Sequence, residues 1–305
     1  MAPQRLKTNL GPIELRSPLI AASGTVGSVW EWADVADLSP YGAAVAKSVA
    51  PVEWEGRPAP RLAPTSSGML NGIGIQNPGI DAWTEMIEPR IAGLDILVWG
   101  SAVGATPEEF ALVAKGLVST GVPVVEVNLS CPNLDDGRMF SLDAERSRAV
   151  VSEVVSSVEV PIGAKLSPNA DDVVAVSRAC LDAGASFLTL TNSVLGFGID
   201  VGRRRPLLSG GVGGYSGPGM KPIALRCVYE VSRALPGTAI IGCGGVMTGS
   251  DVVEYLLAGA SAVGLGTVHL AEPRAGKRIR RELIRELDRH GVASVSELIA
   301  GVIPW

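Results

Sequence analysis

Short apolar runs rich in β-branched residues alternate along the chain with longer segments that carry apolar residues at helical spacing. The apolar runs are 17–24, 43–48, 95–101, 124–130, 161–167, 186–193, 238–245 and 261–267, and the helical segments are 107–119, 143–156, 171–183, 221–234, 249–258 and 272–290. Strand-length runs that alternate with helices are typical of βα units in a parallel sheet. Eight such strands predict an α/β fold that closes into a (β/α)8 TIM barrel.

The connections after the second and sixth predicted strands, residues 48–80 and 194–220, are long and rich in Gly, Pro and Arg. Long loops without secondary structure in a compact domain are usually functional, and the loops that follow barrel strands build active sites. We therefore expect these two connections to be active-site loops. No linker or low-complexity tract divides the chain, which predicts a single domain over residues 1–305.

Composition narrows the class of protein. Hydrophobic residues make up 47% of the chain and charged residues 19%, which indicates a globular protein with a large core. The net charge of −5 favours neither nucleic acid nor an anionic membrane as a partner. No apolar stretch reaches ~18 residues, so no membrane anchor is expected. The four cysteines show no metal-ligand spacing, and we expect a reduced, cytoplasmic chain without a metal site.

Polar residues stand at the ends of the predicted strands: Ser23, Lys47, Ser101, Asn128, Lys165, Asn192 and Ser193. Single residues of this kind are usually turn formers, but their recurrence indicates a polar ring at one end of the barrel. A buried ammonium needs a partner, so Lys47 and Lys165 suggest an anionic substrate or an electron-rich cofactor. Internal ion pairs are the alternative, although neither lysine has an acidic neighbour in the sequence.

The last two predicted strands end in "GCGG" (242–245) and "GLGT" (264–267). Barrels commonly bind phosphate at this place, through backbone amides and the start of the next helix, and glycine permits close approach of the anion. Two ordinary βα turns would explain the same pattern. We expect a ligand that carries a phosphate.

Cys131 follows the fourth predicted strand in "VEVNLSCPN" (125–133). A lone cysteine is more often a small buried hydrophobe than a reactive group, but its position among polar strand ends suggests a proton acceptor or a nucleophile. His269 and His290 are the only histidines, and neither ends a predicted strand. A Cys–His nucleophilic pair is therefore disfavoured, which leaves general-base chemistry.

Several motifs together resemble the class 1 dihydroorotate dehydrogenases, and the likeness covers essentially the whole chain. The motifs are "NLSCPN", "SGMLNGIGIQNPG" (67–79), "SGPGMKPIALR" (216–226), "GCGGV" and "GASAVGLGT". The segment "LNGIGIQNPG" is similar to the type B branch, in which a catalytic FMN subunit works with a second, iron–sulfur subunit.

The resemblance implies an FMN-containing barrel that oxidises (S)-dihydroorotate to orotate in de novo pyrimidine biosynthesis. Cys131 matches the general base that takes the proton from C5, while the hydride of C6 passes to flavin N5. Substrate-binding positions match Lys47, Asn71, Asn128, Asn133, Asn192 and Ser193. Cofactor-binding positions match Ala22, Ser23, Gly24, Lys47, Ser48, Ser101, Asn128, Lys165, Ser216, Gly217, Gly244, Gly245, Gly266 and Thr267, with Lys165 near flavin N1.

Electron transfer onwards is expected to need a partner, because the chain has neither cysteine spacing for an iron–sulfur cluster nor a dinucleotide-binding GxGxxG. The type B resemblance implies transfer to NAD through an iron–sulfur/FAD subunit, in a heterotetramer built on a homodimer. Ser101 and Val49 depart from the common asparagine and threonine of the family. Alternatives are a dihydropyrimidine dehydrogenase-like flavin oxidoreductase, or a catalytically idle flavin-binding relative.

Overall fold

Parallel strands form a closed barrel at the centre of the computed structural model, which describes residues 2–130 and 139–303. In chain order the strands are β1 (Thr8–Leu10), β2 (Ile13–Leu15), β3 (Leu19–Ala21), β4 (Ala43–Val45), β5 (Leu62–Thr65), β6 (Gly68–Asn71), β7 (Leu97–Ala102), β8 (Val125–Asn128), β9 (Ile162–Leu166), β10 (Phe187–Leu190), β11 (Val194–Gly196), β12 (Ile199–Asp200), β13 (Arg205–Pro206), β14 (Gly213–Ser216), β15 (Ile240–Cys243) and β16 (Ala262–Leu265). The barrel order is β10-β15-β16-β3-β4-β7-β8-β9.

The helices surround the barrel. They are α1 (Ala2–Arg5), α2 (Trp30–Ala33), α3 (Ile80–Ile91), α4 (Pro107–Ser119), α5 (Ala144–Ser157), α6 (Val173–Asp182), α7 (Lys221–Ala234), α8 (Gly249–Ala258), α9 (Val268–Ala271) and α10 (Ala275–His290), with 3-10 turns at Phe140–Leu142, Pro218–Met220 and Val295–Leu298. Side chains cap several helix starts; Thr106, for example, accepts the Glu109 amide at α4. None of the described helices has the length and apolarity needed to cross a membrane.

The predicted (β/α)8 barrel is confirmed. Each of the eight predicted strands overlaps a barrel strand, with β7 extending one residue further to Ala102, and α4, α7 and α8 have the predicted bounds. The segment predicted as one helix over 272–290 is instead divided, because α9 ends at Ala271 and α10 begins at Ala275. Helix α3, which begins where the long second connection was expected to end, was not predicted.

The amino-terminal end of the barrel is closed by the antiparallel β1–β2 hairpin. Leu10, Ile13 and Leu15 of this hairpin pack with Trp99 and Phe187 inside the barrel. Gly163 makes room for the Phe187 ring, since a Cβ at Gly163 would lie 2.1 Å from a ring atom. The bottom of the barrel is thus filled with apolar side chains, and the opposite end is left for a site.

The two long connections are not structureless, which corrects the expectation from the sequence. Their strands β5, β6, β11 and β14 form a four-stranded antiparallel sheet in the order β11-β14-β6-β5, which we call the accessory sheet. Ala63, Leu70 and Leu208 form its own small core. Because β6 and β14 come from different connections, their pairing joins residues far apart in sequence and fixes both connections over the carboxyl end of the barrel.

Candidate active site at the carboxyl end of the barrel

A cavity of about 270 Å³ lies between the carboxyl ends of the barrel strands and the accessory sheet. Of the residues predicted to bind substrate or cofactor, those that line it are Ala22, Ser23, Gly24, Lys47, Ser48, Asn71, Asn128, Lys165, Asn192, Ser193, Ser216, Gly217, Gly244, Gly245, Gly266 and Thr267. They come from seven separate barrel strands and from both long connections. The fold therefore gathers residues that are scattered along the sequence into one site.

Ser101, by contrast, does not line the cavity. It is fully buried on β7, and its hydroxyl lies 2.9 Å from that of Ser48, which also accepts a hydrogen bond of 3.1 Å from Asn128 Nδ2. The predicted contact of Ser101 with a cofactor stays a prediction. What the structure shows is a contact with Ser48, a residue that does line the cavity.

Cys131 and Asn133 lie outside the described residues, so their predicted roles stay predictions. The strand that leads to them is described as far as Ser130, which is buried. Asn192 Nδ2 donates to the Ser130 hydroxyl over 3.0 Å. The chain therefore leaves the last described residue of this loop beside the cavity-lining amide of Asn192.

Amide side chains form a connected group on one wall of the cavity. Asn128 ends β8, and its Oδ1 lies 3.4 Å from Asn192 Nδ2 and 3.3 Å from the Ser130 hydroxyl. Asn192 Oδ1 in turn accepts the Ser193 backbone amide over 2.8 Å. From the accessory sheet, Asn71 donates to the Gly214 carbonyl over 3.1 Å. Amides offer both donors and acceptors, so this wall suits a planar polar ring.

Glycines bring the backbone close to the cavity on the opposite side. We call Gly217, Gly244, Gly245, Gly266 and Thr267 the glycine cradle. Gly245 has φ of 71°, and a Cβ there would lie 2.7 Å from Lys221 Cβ, so only glycine fits. Thr267 donates to the Ser216 hydroxyl over 2.8 Å, which ties β16 to the accessory sheet. This arrangement suits a phosphate held by backbone and hydroxyl groups.

Lys165 has an acidic partner that sequence inspection missed. Its Nζ lies 3.8 Å from Oε1 of Glu126 on the neighbouring strand β8, and both side chains are buried. Lys165 also lines the cavity, so it has both an internal acidic partner and a position beside a bound ligand. The missed signal was a glutamate inside the apolar run "VVEVN", because a charged residue at the centre of a buried strand needs a partner.

Thr191 is a further cavity residue that the sequence did not single out. Its side chain is buried and lines the cavity, and its hydroxyl has no hydrogen-bond partner among the described residues. A buried hydroxyl without a partner is costly, and a polar ligand would satisfy it. Across 2–130 and 139–303, no group of His, Cys, Asp and Glu is placed to hold a metal ion.

His269 supports the site from behind. It is buried, with one ring nitrogen 2.9 Å from the Tyr41 hydroxyl and the other 3.2 Å from the hydroxyl of Thr25, which lines the cavity. Burial lowers the pKa of His269 from 6.5 to about 4. The ring is therefore neutral at physiological pH, and it joins α9 to the loop that follows β3.

This buried histidine predicts a loss of stability in acid. Between pH 6.5 and pH 4 the unfolded chain binds a proton that the native ring excludes, so native stability falls as the pH decreases through this window. The free energy of unfolding should fall by about 3 kcal/mol across this window because of His269, since one pKa unit corresponds to about 1.36 kcal/mol. Urea unfolding of His269→Gln should show a correspondingly weaker pH dependence than wild type. An equal pH dependence of the unfolding free energy in the two proteins would show that His269 does not cause the loss of stability in acid.

Comparison with known proteins shows which family the chain resembles. The family model described as "Dihydroorotate dehydrogenase" matches residues 5–287. Proteins named "Dihydroorotate dehydrogenase B (NAD(+)), catalytic subunit" are similar: one from a Geobacter species is 43% identical over 95% of each chain, and one from Alkaliphilus metalliredigens is 38% identical over 98% of this chain and 99% of its own.

A solved structure is similar in fold. The crystal structure of DHODH from Eimeria tenella in complex with ferulenol superposes with a TM-score of 0.83 and 19% identity, covering 97% of this chain and 88% of that one. At this identity the likeness concerns the fold alone. The family match and the relatives confirm the resemblance found in the motifs, including the likeness to the type B branch. The chain belongs to the dihydroorotate dehydrogenase family of enzymes.

Proposed function

We propose that this chain oxidises (S)-dihydroorotate to orotate in de novo pyrimidine biosynthesis, with FMN as cofactor. The observation that carries the proposal is the single cavity in which an amide wall, two lysines and the glycine cradle meet. The names of the relatives, which share about two fifths of their residues with the chain, support the same reaction. No observation favours the pyrimidine reductase or the idle relative as a second candidate.

The residues present fit FMN. The glycine cradle with Ser216 suits the phosphate, and the unpartnered hydroxyl of Thr191 offers a donor further along the cavity. Ala22, Ser23 and Gly24 line the wall beside it, and the Ser23 hydroxyl is held by the Ala46 carbonyl at 2.7 Å. Lys165 would stabilise negative charge on the ring system. FMN, when bound, supplies the acceptor for the hydride from C6 of the substrate.

The chain's own groups would handle the substrate and its proton. Lys47 is assigned to the substrate carboxylate, and Asn71, Asn128, Asn133, Asn192 and Ser193 are assigned to the ring. Holding the ring in one orientation would allow one base to act on C5, and we assign removal of the C5 proton to the Cys131 thiolate. Ser48, with Asn128 and Ser101 behind it, would contact the cofactor. The accessory sheet would exclude water from the reacting carbons.

A partner subunit completes the proposal. The relatives are named as catalytic subunits of NAD(+)-linked enzymes, which supports a second polypeptide that carries electrons to NAD. We assign that role to an iron–sulfur/FAD subunit in a heterotetramer built on a homodimer. In this arrangement, the chain itself needs only to reduce its flavin and release orotate.

The electron acceptors that the isolated chain can reduce provide a test of this proposal. The chain is expected to bind one FMN per polypeptide. The FMN-loaded chain should then reduce an artificial dye, with dihydroorotate as the electron donor. It should not reduce NAD(+), because it has no dinucleotide-binding GxGxxG. Steady-state assays with dye, NAD(+) and fumarate check this. Efficient use of fumarate would contradict the type B partner, and failure with every acceptor would contradict the reaction.

A further inference from the structure

Glu126 is a buried acid that the proposed chemistry does not use. It is 2% exposed on β8 and points into the barrel below the cavity, towards the neighbouring strand that carries Lys165. The pairing of β8 with β9 places Glu126 opposite Gly163, two residues before Lys165. The carboxylate and the ammonium therefore lie in one buried layer, beside the cavity that Lys165 lines.

The contacts of this carboxylate are uneven. Its Oε2 accepts a hydrogen bond of 2.7 Å from the Thr189 hydroxyl on β10, which fixes the side chain. Its Oε1 accepts no hydrogen bond from the part of the chain that the structure describes, and lies 3.8 Å from Lys165 Nζ. That separation is too long for a hydrogen bond. The pair is thus held at a distance, with Lys165 turned to the cavity.

A pair of this geometry is a poor device for stability. Burying two charges costs several kcal/mol per ion in general, and the cost is recovered only with good geometry and further hydrogen bonds. Here one carboxylate oxygen lacks such a bond, and the lysine lines the cavity instead of closing the pair. An apolar pair would fill the same layer without this cost. The arrangement therefore points to a role in the site rather than in the core.

We propose that Glu126 is a positioning residue that sets the electrostatic effect of Lys165 on the bound flavin. The inference rests on the proposed function, because it requires FMN in the cavity. Thr189 anchors the carboxylate, and the carboxylate would keep the Lys165 ammonium at the cavity wall and offset part of its charge. Bound FMN would then experience less net positive charge from Lys165 than an ammonium without a neighbouring carboxylate would supply.

Replacement of Glu126 by glutamine tests this role through the reduction potential of bound FMN. Without the carboxylate charge, the ammonium of Lys165 stabilises reduced flavin more strongly. We expect the equilibrium ratio of reduced to oxidised FMN to rise at least tenfold, which is about 30 mV for a two-electron couple. The potential is measured by anaerobic titration with a chemical reductant and a reference dye, so no substrate turnover enters the readout.

Matched variants separate an electrostatic role from a structural one. Glu126→Asp keeps the charge but withdraws it by one methylene, and should shift the potential in the same direction by less. Lys165→Met removes the group through which Glu126 acts, so Glu126→Gln should add little shift in that background. If Glu126→Gln does not fold, Glu126→Asp alone carries the comparison, and an unchanged potential there overturns the inference.

The outcomes distinguish this inference from the proposed function. An unchanged potential in a folded, FMN-loaded Glu126→Gln protein overturns the inference and leaves the proposed function standing. An equal shift with and without Lys165 also overturns it, since Glu126 would then act on the flavin by another route. A wild-type chain that takes up no FMN overturns both. A shift that depends on Lys165 supports the proposal.

Discussion

Replacement of Cys131 by alanine is expected to slow reduction of the bound flavin by dihydroorotate by roughly 10²- to 10⁴-fold, the usual contribution of a positioned general base. FMN content should hardly change, because Cys131 is assigned to the substrate carbon and not to the cofactor phosphate. Cys131→Ser should also be slow, since a hydroxyl is a far poorer proton acceptor than a thiol with an unperturbed pKa of ~8.5. Anaerobic stopped-flow absorbance measures the rate.

Cys180→Ala is the matched control for this experiment. Cys180 is fully buried on α6, and burial raises the pKa of its thiol to about 12, so it cannot act as a base near neutral pH. This variant should reduce its flavin as fast as wild type. In wild type the rate should rise with pH as the Cys131 thiolate forms. Flavin reduction at the wild-type rate in Cys131→Ala would show that the base has been misassigned, and Ser130 would be tested next.

Replacement of Gly245 by alanine is expected to weaken FMN binding by roughly 10- to 100-fold. Alanine at φ of 71° introduces backbone strain of about 1–3 kcal/mol, which lowers stability with or without FMN. The loss of affinity comes instead from displacement of the cradle around the new Cβ, and each 1.4 kcal/mol of lost binding free energy corresponds to about tenfold in affinity. The new Cβ would also lie 2.9 Å from the Gly217 carbonyl oxygen, so the glycine cradle must widen. Fluorescence titration of the apoprotein with FMN measures the dissociation constant.

Gly237→Ala provides the control for backbone strain. Gly237 has φ of 82°, and a Cβ there would meet no atom within 4 Å. It lies in the turn after α7, outside the residues that line the cavity. Both variants should therefore lose stability in thermal unfolding, Gly245→Ala the more because its Cβ also meets Lys221 and Gly217, while only Gly245→Ala loses FMN affinity. A loss of affinity in Gly237→Ala as large as in Gly245→Ala would show that general destabilisation, rather than the cradle, governs binding.

The barrel could be predicted from sequence because the features that specify each strand and helix lie within that strand or helix. Each strand is an apolar run, and each major helix carries its own periodicity and often its own cap, as Thr248 does for α8 with a capping box. The order of strands then follows from the alternation of β and α units. Consecutive barrel strands pair with one another, as the chain order requires.

The accessory sheet could not be predicted in the same way. Its strands are short, and Gly214 pairs with Asn71, 143 residues away along the chain. Nothing in the composition of either connection indicates that the other is its partner. Long Gly- and Pro-rich connections therefore look structureless in sequence, although together they form a sheet over the site.

The site shows the same division between local and distant information. Strand-end polar residues and glycine motifs are local signals, and they located most of the cavity lining. Glu126 and His269 were missed because their significance depends on partners on other elements, Lys165 for the first and Tyr41 for the second. Ser101 was predicted to be a site residue from its place at a strand end, and in the structure its hydroxyl contacts that of the cavity-lining Ser48.

Anaerobic mixing of the FMN-loaded chain with dihydroorotate tests the central claim most directly. The proposed function predicts loss of the visible absorption of oxidised flavin in a single turnover, with one orotate formed for each flavin reduced. No partner subunit and no added acceptor should be needed for this half-reaction. A flavin that stays oxidised under these conditions, in a folded protein that has bound FMN, would contradict the assignment of this chain as a dihydroorotate-oxidising flavoprotein.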